Sequence, residues 1–227
     1  FLKKEFGQLP SGFTNPFPLQ TTQKNPTVMS CSEYVFHTPG DRLPNVHTTG
    51  YWFLDEDWTP SPELHDFLQK GSAPVYVGFG SMSGSANAER GRIVVEALEK
   101  SGQRGLLASG WGGLQTGDLP DSIFLIDAAP HDWLFPRVAA VVHHGGSGTM
   151  AAGLRAGKPT VICPFIADQP FWGKVVYDRG VGPQPIPQKK LTVDGLAAAI
   201  NVAVNDKAIQ DAAAKLGAQI RAEDGVA

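Results

Sequence analysis

Short apolar runs, each bounded by Gly, Pro or Asp, recur along the chain from about residue 73. They lie at 74–79, 105–109, 123–127, 138–143 and 160–164. Runs of this length with these boundaries predict buried β-strands, and the helical patterns that alternate with them favour βαβ units. We therefore predict an α/β fold with a Rossmann-like open parallel sheet and helices on both faces.

The predicted helices have recognisable ends. Thr192 and Asp206 can cap two helices near the C-terminus, and Asn87 can cap one earlier in the chain. Glycines follow several of the helical patterns, where they favour a helix end. The predicted helices run over 87–100, over 147–156, from about 168 to just before 180, over 193–204, and from 206 to about 221.

The first 70 residues differ from the rest of the chain in composition and in hydrophobic pattern. Eight prolines stand among them, and only 27–31 and 50–53 have a strand-like pattern. Such a stretch looks incomplete as a domain. We therefore divide the chain into an incomplete first segment, 1–60, and a second domain, 61–227. Because the first residue is Phe1 rather than Met, we expect the chain to begin partway through a longer gene product.

Composition and charge narrow the class of protein. The chain has 227 residues, 42% of them hydrophobic and 18% charged, with a formal net charge of -3. This balance is typical of a soluble globular protein and offers no basic surface for nucleic acid. The longest apolar runs, of about six residues, are far shorter than a membrane span. Cys31 and Cys163 are too far apart in sequence to indicate a metal pair or a disulfide framework, so we expect a reducing, cytoplasmic setting.

The run HHGGSGTM, residues 143–150, stands where a predicted strand passes into a helix. Its three glycines let the backbone approach a ligand closely, and the N–H groups of a helix that starts near Ser147 point outward. Together with the helix dipole they predict an anion site suited to a phosphate or diphosphate. Ser147 and Thr149 add hydroxyl donors, and His144 can donate a hydrogen bond, whereas His143 fits a packing role at the strand end.

Other interpretations of this turn stay open. Gly146, Gly148 and Ala151 satisfy the dinucleotide pattern G-x-G-x-x-A. Asp168 follows about 20 residues later, but Pro164 separates it from the strand that the acidic residue should end. A serine hydrolase is disfavoured because the chain has no G-x-S-x-G, and a metal site because no further ligand stands at suitable spacing from the histidine pair. A turn that only packs a helix against a strand is the remaining alternative.

A second glycine turn, GFGSMSG at 78–84, follows the first strand of the predicted sheet. Ser81 lies in this turn at the same predicted sheet edge, from which its hydroxyl can reach a phosphate. A plain turn is the alternative, because Ser83 occupies the third position of the dinucleotide pattern.

Three stretches carry a resemblance to known enzymes. They read VYVGFGSM at 75–82, TTGYWFLDEDW at 48–58 and APHDWLFPRVAAVVHHGGSGTMAAGLRAGKPTVICPFIADQPFWGKVVYDRGVG at 129–182. This ordered series resembles the nucleotide-sugar half of the family 1 glycosyltransferases of the GT-B fold, particularly the sterol glucosyltransferases and the bacterial and fungal enzymes like them. The resemblance extends from about Pro26 to the C-terminus, and it implies that the predicted sheet is the C-terminal half of a GT-B fold.

The resemblance also implies a donor, a UDP-sugar such as UDP-glucose. Its diphosphate would bind the HHGGSGTM run and Ser81, and its uracil would lie against the APHDW loop with Trp111 as a wall. Asp168 and Gln169 would bind the sugar hydroxyls. The implied donor-binding residues are Ser81, Trp111, Ala129, His131, His144, Gly146, Ser147, Gly148, Thr149, Asp168 and Gln169.

The reaction that the family implies is inverting transfer of a hexose to a hydroxyl of a sterol or other lipophilic acceptor, with no metal and no cofactor. A base on the acceptor side would deprotonate that hydroxyl, and His144 would stabilise the leaving diphosphate. In the family the base is a histidine of an N-terminal domain, and His37, His47 and His65 match no base motif. Trp133 and Trp172 fit aromatic packing better than ligand contact.

We therefore expect this chain to bind the donor but to transfer poorly or not at all alone. An N-terminal acceptor domain, in cis or as a separate chain, is the expected partner, and any peripheral membrane contact is expected through that half only. The alternative is a stand-alone nucleotide-binding module without transferase activity.

Overall fold

The computed structural model describes residues 25–79, 87–108 and 119–226. These residues divide between two compact units. The first contains the described residues up to Trp52 together with those from Glu223 onward, and the second runs from Phe53 to Ala222. The division falls a few residues before the boundary we predicted after residue 60. The assignment of 1–60 to the end of an acceptor domain stays a prediction.

The described residues of the first unit contain a two-stranded parallel sheet. Strand β1 (Thr27–Met29) pairs with β2 (Val46–Thr48), so that Thr27 lies opposite Val46. The strand predicted over 50–53 is wrong. Gly50 has a φ of +91°, which is incompatible with extended backbone, and the pairing strand lies just before it.

A five-stranded parallel sheet is the centre of the second unit, as the sequence predicted. The strand order is β5-β4-β3-β6-β7, and every neighbouring pair is parallel. Chain order therefore reverses at β3, whose successor β4 lies on one side and β6 on the other. The strands are β3 (Val75–Gly78), β4 (Gly105–Ala108), β5 (Ile123–Ile126), β6 (Ala140–His143) and β7 (Thr160–Ile162).

Helices connect and flank these strands. The Thr192 hydroxyl accepts a hydrogen bond from the Gly195 N–H (3.1 Å), and the Asp206 carboxylate accepts one from Ala208 (2.9 Å), which confirms these two predicted caps. The third predicted cap, the side chain of Asn87, lies outside the described side chains. Two helices, α1 and α3, were not predicted. The helices are α1 (Pro62–Gln69), α2 (Asn87–Ser101), α3 (His131–Leu134), α4 (Ser147–Arg155), α5 (Gln169–Asp178), α6 (Val193–Asn205) and α7 (Lys207–Arg221), with short 3-10 turns at Phe135–Arg137 and Gln188–Lys190.

Apolar side chains cover both faces of the five-stranded sheet. Val142 belongs to a cluster that includes side chains of α2 and α6, whereas its neighbour Val141 belongs to a cluster with α1 and α3. This alternation is what buries a strand on two sides. Because helices occupy both faces, a ligand can reach the sheet only at the strand ends, and the reversal between β3 and β6 is where open α/β sheets bind their ligands.

Candidate functional site

A tight turn joins the carboxyl end of β6 to helix α4. Gly145 in this turn has a φ of +95°, and a Cβ on it would lie 2.9 Å from Ile162 Cγ2 and 3.2 Å from the Gln169 carbonyl oxygen. Only glycine fits both the backbone conformation and the space. The turn is therefore packed against β7 and the start of α5, and it fixes where α4 begins.

No side chain of the described residues caps the N-terminus of α4. Gly146 is the N-cap residue, and its carbonyl accepts the first helical hydrogen bond, from the Met150 N–H (3.0 Å). Ser147 and Gly148 are exposed, and a Cβ on Gly148 would meet nothing within 4 Å. Within the described part of the chain, the first N–H groups of the helix therefore have no side-chain partner, and they stand at the positive end of the helix dipole, which is favourable for an anion.

His144 lies over this turn. A Cβ on Gly146 would lie 2.6 Å from His144 Nε2, so the imidazole occupies the space where any side chain at 146 would stand. Its Nδ1 is buried and has no hydrogen-bond partner within the described residues. Burial lowers the pKa of His144, and the negative charge of Asp168 partly opposes that shift. A bound anion would favour the protonated imidazole in the same way.

His143 is fully buried at the end of β6, as the sequence predicted. Its Nδ1 accepts a hydrogen bond from the Gly145 N–H (3.0 Å), so the proton of the neutral ring is on Nε2. Burial holds the pKa of His143 at about 3, which keeps the ring neutral. His143 thus holds the backbone of the turn through its hydrogen bond with Gly145, a role that the sequence did not indicate.

Asp168 stands immediately before α5 and is exposed. Its carboxylate caps no helix N–H. Instead, Oδ2 accepts a hydrogen bond from the Trp172 indole Nε1 (2.8 Å). The residue before it, Ala167, has a φ of +56°, a conformation that is uncommon for a residue with a side chain. Asp168 is therefore presented at the strand ends by a loop with a strained backbone.

Gln169 is placed differently from Asp168. It is only 7% exposed, and its Oε1 accepts hydrogen bonds from the backbone N–H groups of Phe165 (2.8 Å) and Ile166 (3.1 Å). Its side-chain oxygen is thus used to hold the loop between β7 and α5. The sugar contact that we assigned to Gln169 stays a prediction.

A small cavity lies beside the predicted uracil loop. Its volume is about 190 Å³, and it opens among the carboxyl ends of β4 and β5. His131 borders it and stacks on Phe135 with a ring separation of 4.3 Å, and burial lowers the pKa of its imidazole. The lining residues are Tyr76, Ala108, Ile126, Asp127, Ala128, Ala129 and His131.

Trp133 and Trp172 differ in what they contact. Trp133 packs edge-on against Trp58 at 4.9 Å and lies under the Arg137 guanidinium, which agrees with the predicted packing role. Trp172, in contrast, donates a hydrogen bond from its indole Nε1 to the carboxylate of Asp168, a predicted donor-binding residue. Two predicted donor-binding residues, Ser81 and Trp111, lie outside the described residues.

Within 25–79, 87–108 and 119–226, no three His, Cys, Asp or Glu side chains are grouped so that they could hold a metal ion. No helix in these ranges is both long and apolar enough to cross a membrane.

A second cavity, of about 600 Å³, lies against residues 53–56, α3 and α4, and shares only His131 with the lining of the smaller one.

Comparison with known proteins gives consistent matches. Residues 112–225 match the family model described as erythromycin biosynthesis protein CIII-like, C-terminal domain. The sterol 3-beta-glucosyltransferase UGT80A2 of Arabidopsis thaliana is 45% identical over 199 residues, which cover 86% of this chain and 31% of the relative. The sterol 3-beta-glucosyltransferase of Aspergillus clavatus is 43% identical over 219 residues, covering 90% of this chain and 15% of the relative. The chain thus spans a third or less of the length of these curated relatives.

Solved structures show the same architecture. The glycotransferase of kitacinnamycin superposes with a TM-score of 0.72 at 20% identity, covering 87% of this chain and 51% of that one. Arabidopsis thaliana UGT89C1, solved in complex with UDP, superposes with a TM-score of 0.70 at 19% identity, covering 95% of this chain and 58% of that one. Both likenesses concern the fold.

Proposed function

Because the chain belongs to the family of erythromycin biosynthesis protein CIII-like C-terminal domains, we propose that it binds the UDP-sugar donor of an inverting glycosyltransferase. The chain has the α/β fold of the C-terminal half of a GT-B enzyme, and its relatives are named sterol 3-beta-glucosyltransferases. UDP-glucose is the donor that fits these names. A sterol or another lipophilic alcohol is the acceptor that we propose.

The observation that carries the proposal is the open N-terminus of α4 beneath His144. Gly146 caps the helix without a side chain, and a Cβ built on Gly148 would meet nothing among the described residues within 4 Å. A diphosphate bound there would accept hydrogen bonds from the first helical N–H groups and from the hydroxyls of Ser147 and Thr149. The 190 Å³ cavity beside Ala129 and His131 would take the uracil.

Charge development explains how this arrangement would assist the reaction. When the acceptor oxygen attacks the anomeric carbon, the bond to the diphosphate breaks and negative charge grows on UDP. The α4 terminus is fixed by the Gly145 turn, so its N–H groups need no reorganisation as the charge develops. His144 has a lowered pKa in the free protein, and the diphosphate would raise it toward protonation. An imidazolium at this position would stabilise the leaving group.

We assign the base that deprotonates the acceptor hydroxyl to an acceptor-binding half outside the described domain. The chain spans about a third of the length of UGT80A2, so most of that relative lies beyond the matched region. The sequence supports this assignment, since His37, His47 and His65 match no base motif. We therefore propose that the donor-binding unit acts with an N-terminal domain, in cis or as a separate chain.

Calorimetric titration of the 227-residue chain tests the proposal. UDP and UDP-glucose should bind, because we assign the 190 Å³ cavity to uracil and the N-terminus of α4 to the diphosphate. NAD should not bind at this site. NAD binding without UDP binding would support the dinucleotide interpretation and contradict ours. Incubation of the chain with UDP-glucose and a sterol should yield little or no sterol glucoside, and rapid turnover would contradict the assignment of the base to another domain.

A further inference from the structure

Within the described ranges, the Asp168 carboxylate accepts a side-chain hydrogen bond from the indole Nε1 of Trp172 (2.8 Å). We propose that Trp172 is a positioning residue of the donor site, and that its indole N–H orients the Asp168 carboxylate so that Oδ1 accepts a hydroxyl of the donor sugar. The inference rests on the proposed function. It assigns to Trp172 a role in sugar affinity that its sequence context, which favours packing, does not indicate.

Asp168 does not behave as an N-cap aspartate usually does. Such a residue commonly turns its carboxylate back onto the first-turn N–H groups of its own helix. Asp206 does so before α7, where its backbone is extended (ψ 107°) and Oδ1 accepts from Ala208 and Ile209. Asp168 has a helical backbone (ψ -8°) and caps nothing. Its carboxylate is therefore turned away from the first-turn N–H groups of α5 and toward the indole of Trp172, one turn further along the same helix.

The loop is restrained on both sides of Asp168. On one side Ala167 has a φ of +56°, which a residue with a Cβ adopts only when its surroundings impose it. On the other side Gln169 is buried, and its Oε1 accepts two backbone N–H groups of the same loop. The backbone of residue 168 is thus fixed by its neighbours. The remaining freedom is that of the Asp168 side chain, and the bond from Trp172 Nε1 removes it.

Trp172 is itself held in place. It lies one helical turn after Asp168, the spacing at which side chains meet on a helix, and its backbone N–H also donates to the Asp168 carbonyl (3.1 Å). Its ring packs edge-on against Phe171 at a centroid distance of 4.9 Å. A held indole N–H is a directional donor, and a hydrogen bond to a charged oxygen is stronger than one between neutral groups.

The test compares UDP with UDP-glucose, because only the second carries the sugar that Asp168 would contact. Trp172→Phe keeps an aromatic ring and removes the N–H. Titration calorimetry should show an affinity for UDP within about twofold of the wild type and an affinity for UDP-glucose lowered by about tenfold. Trp133→Phe is the matched control. Trp133 packs on Trp58 and Arg137, so its replacement should leave the ratio of the two affinities unchanged.

A double-mutant cycle separates positioning from general loss of packing. If Trp172 acts through Asp168, then Trp172→Phe should have no further effect on UDP-glucose binding once Asp168→Ala is present. A tenfold loss that persists in the Asp168→Ala background would overturn the proposal, and so would an equal loss of UDP and UDP-glucose affinity. A wild-type chain that binds neither nucleotide contradicts the proposed function itself, a result distinct from either of these.

A spectroscopic measurement does not depend on whether the Trp172 variant folds. Asp168→Asn removes the charge of the acceptor but keeps its size, so the proton resonance of the Trp172 indole N–H should move upfield relative to the wild type. The other tryptophan indoles, including that of Trp133, provide the internal reference. An unchanged Trp172 resonance would show that the indole does not bind the carboxylate, and would overturn the proposal.

Discussion

Gly148→Ala should stabilise the protein and at the same time weaken its binding of UDP. Gly148 lies in the first turn of α4, and a Cβ on it would meet nothing within 4 Å. Its φ is not in the positive range. Nothing in the described residues therefore explains why glycine stands there, whereas a ligand at the helix terminus would.

The two effects can be estimated separately. Alanine in place of a helical glycine gains about 0.5 kcal/mol, which corresponds to a rise in Tm of about 1–2 °C for a chain of this size. The new methyl carbon stands about 1.5 Å from Cα and leans toward the helix N-terminus, where we place the diphosphate. Crowding of a phosphate oxygen or loss of one N–H contact should weaken UDP binding by about tenfold, or ~1.4 kcal/mol.

Thermal unfolding without ligand and calorimetric titration with UDP measure the two quantities. Gly195→Ala, which changes a first-turn glycine of α6, is the control and should leave UDP affinity unchanged. An unchanged UDP affinity in Gly148→Ala would refute the placement of the diphosphate over this turn. A fall in Tm of several degrees would refute the premise that the space next to Gly148 is open.

The remaining predictions concern the turn beneath the site. Gly145→Ala should lower the free energy of unfolding by about 3 kcal/mol in urea, since it adds steric overlap with Ile162 to the strain of a positive φ. Gly180→Ala, at a φ of +65° with nothing within 4 Å, should cost only about 1 kcal/mol, and equal losses would show that the Ile162 contact is unimportant. Burial lowers the pKa of His143 from 6.5 to about 3. As the pH falls, the unfolded chain therefore protonates this imidazole before the folded protein does. The contribution of the neutral His143 to the free energy of unfolding is present above pH 6.5 and is lost between pH 6.5 and pH 3. Between pH 7 and pH 5 the wild type should therefore lose about 2 kcal/mol more than His143→Asn, and parallel losses in the two proteins would mean that His143 is not neutral in the folded state.

Much of the fold followed from the sequence because its signals are local. Each strand of the five-stranded sheet is a short apolar run between turn-forming residues, and Thr192 and Asp206 cap the helices that they were predicted to cap. Helix α1 was missed although Ser61 accepts from Leu64 at its start, because the surrounding prolines suggested irregular chain. Helix α3 has only four residues, too few to show a helical period.

The site was predictable where the backbone alone determines it. A glycine-rich turn between a strand and a helix predicts an open helix terminus, and the structure has one at α4. The hydrogen-bond partners of the Gln169 side chain were not predictable, because they depend on the conformation of the loop over residues 164–168. The pairing of Asp168 with Trp172 follows a spacing of four residues on a helix and could have been proposed from the sequence.

A structure of the chain with bound UDP would show directly where the diphosphate binds. We predict that the diphosphate oxygens lie within hydrogen-bond distance of the backbone N–H groups of Ser147, Gly148 and Thr149, that His144 contacts the same diphosphate, and that the uracil lies in the cavity beside Ala129. UDP bound in the 600 Å³ cavity against residues 53–56, with the α4 terminus empty, would contradict this prediction.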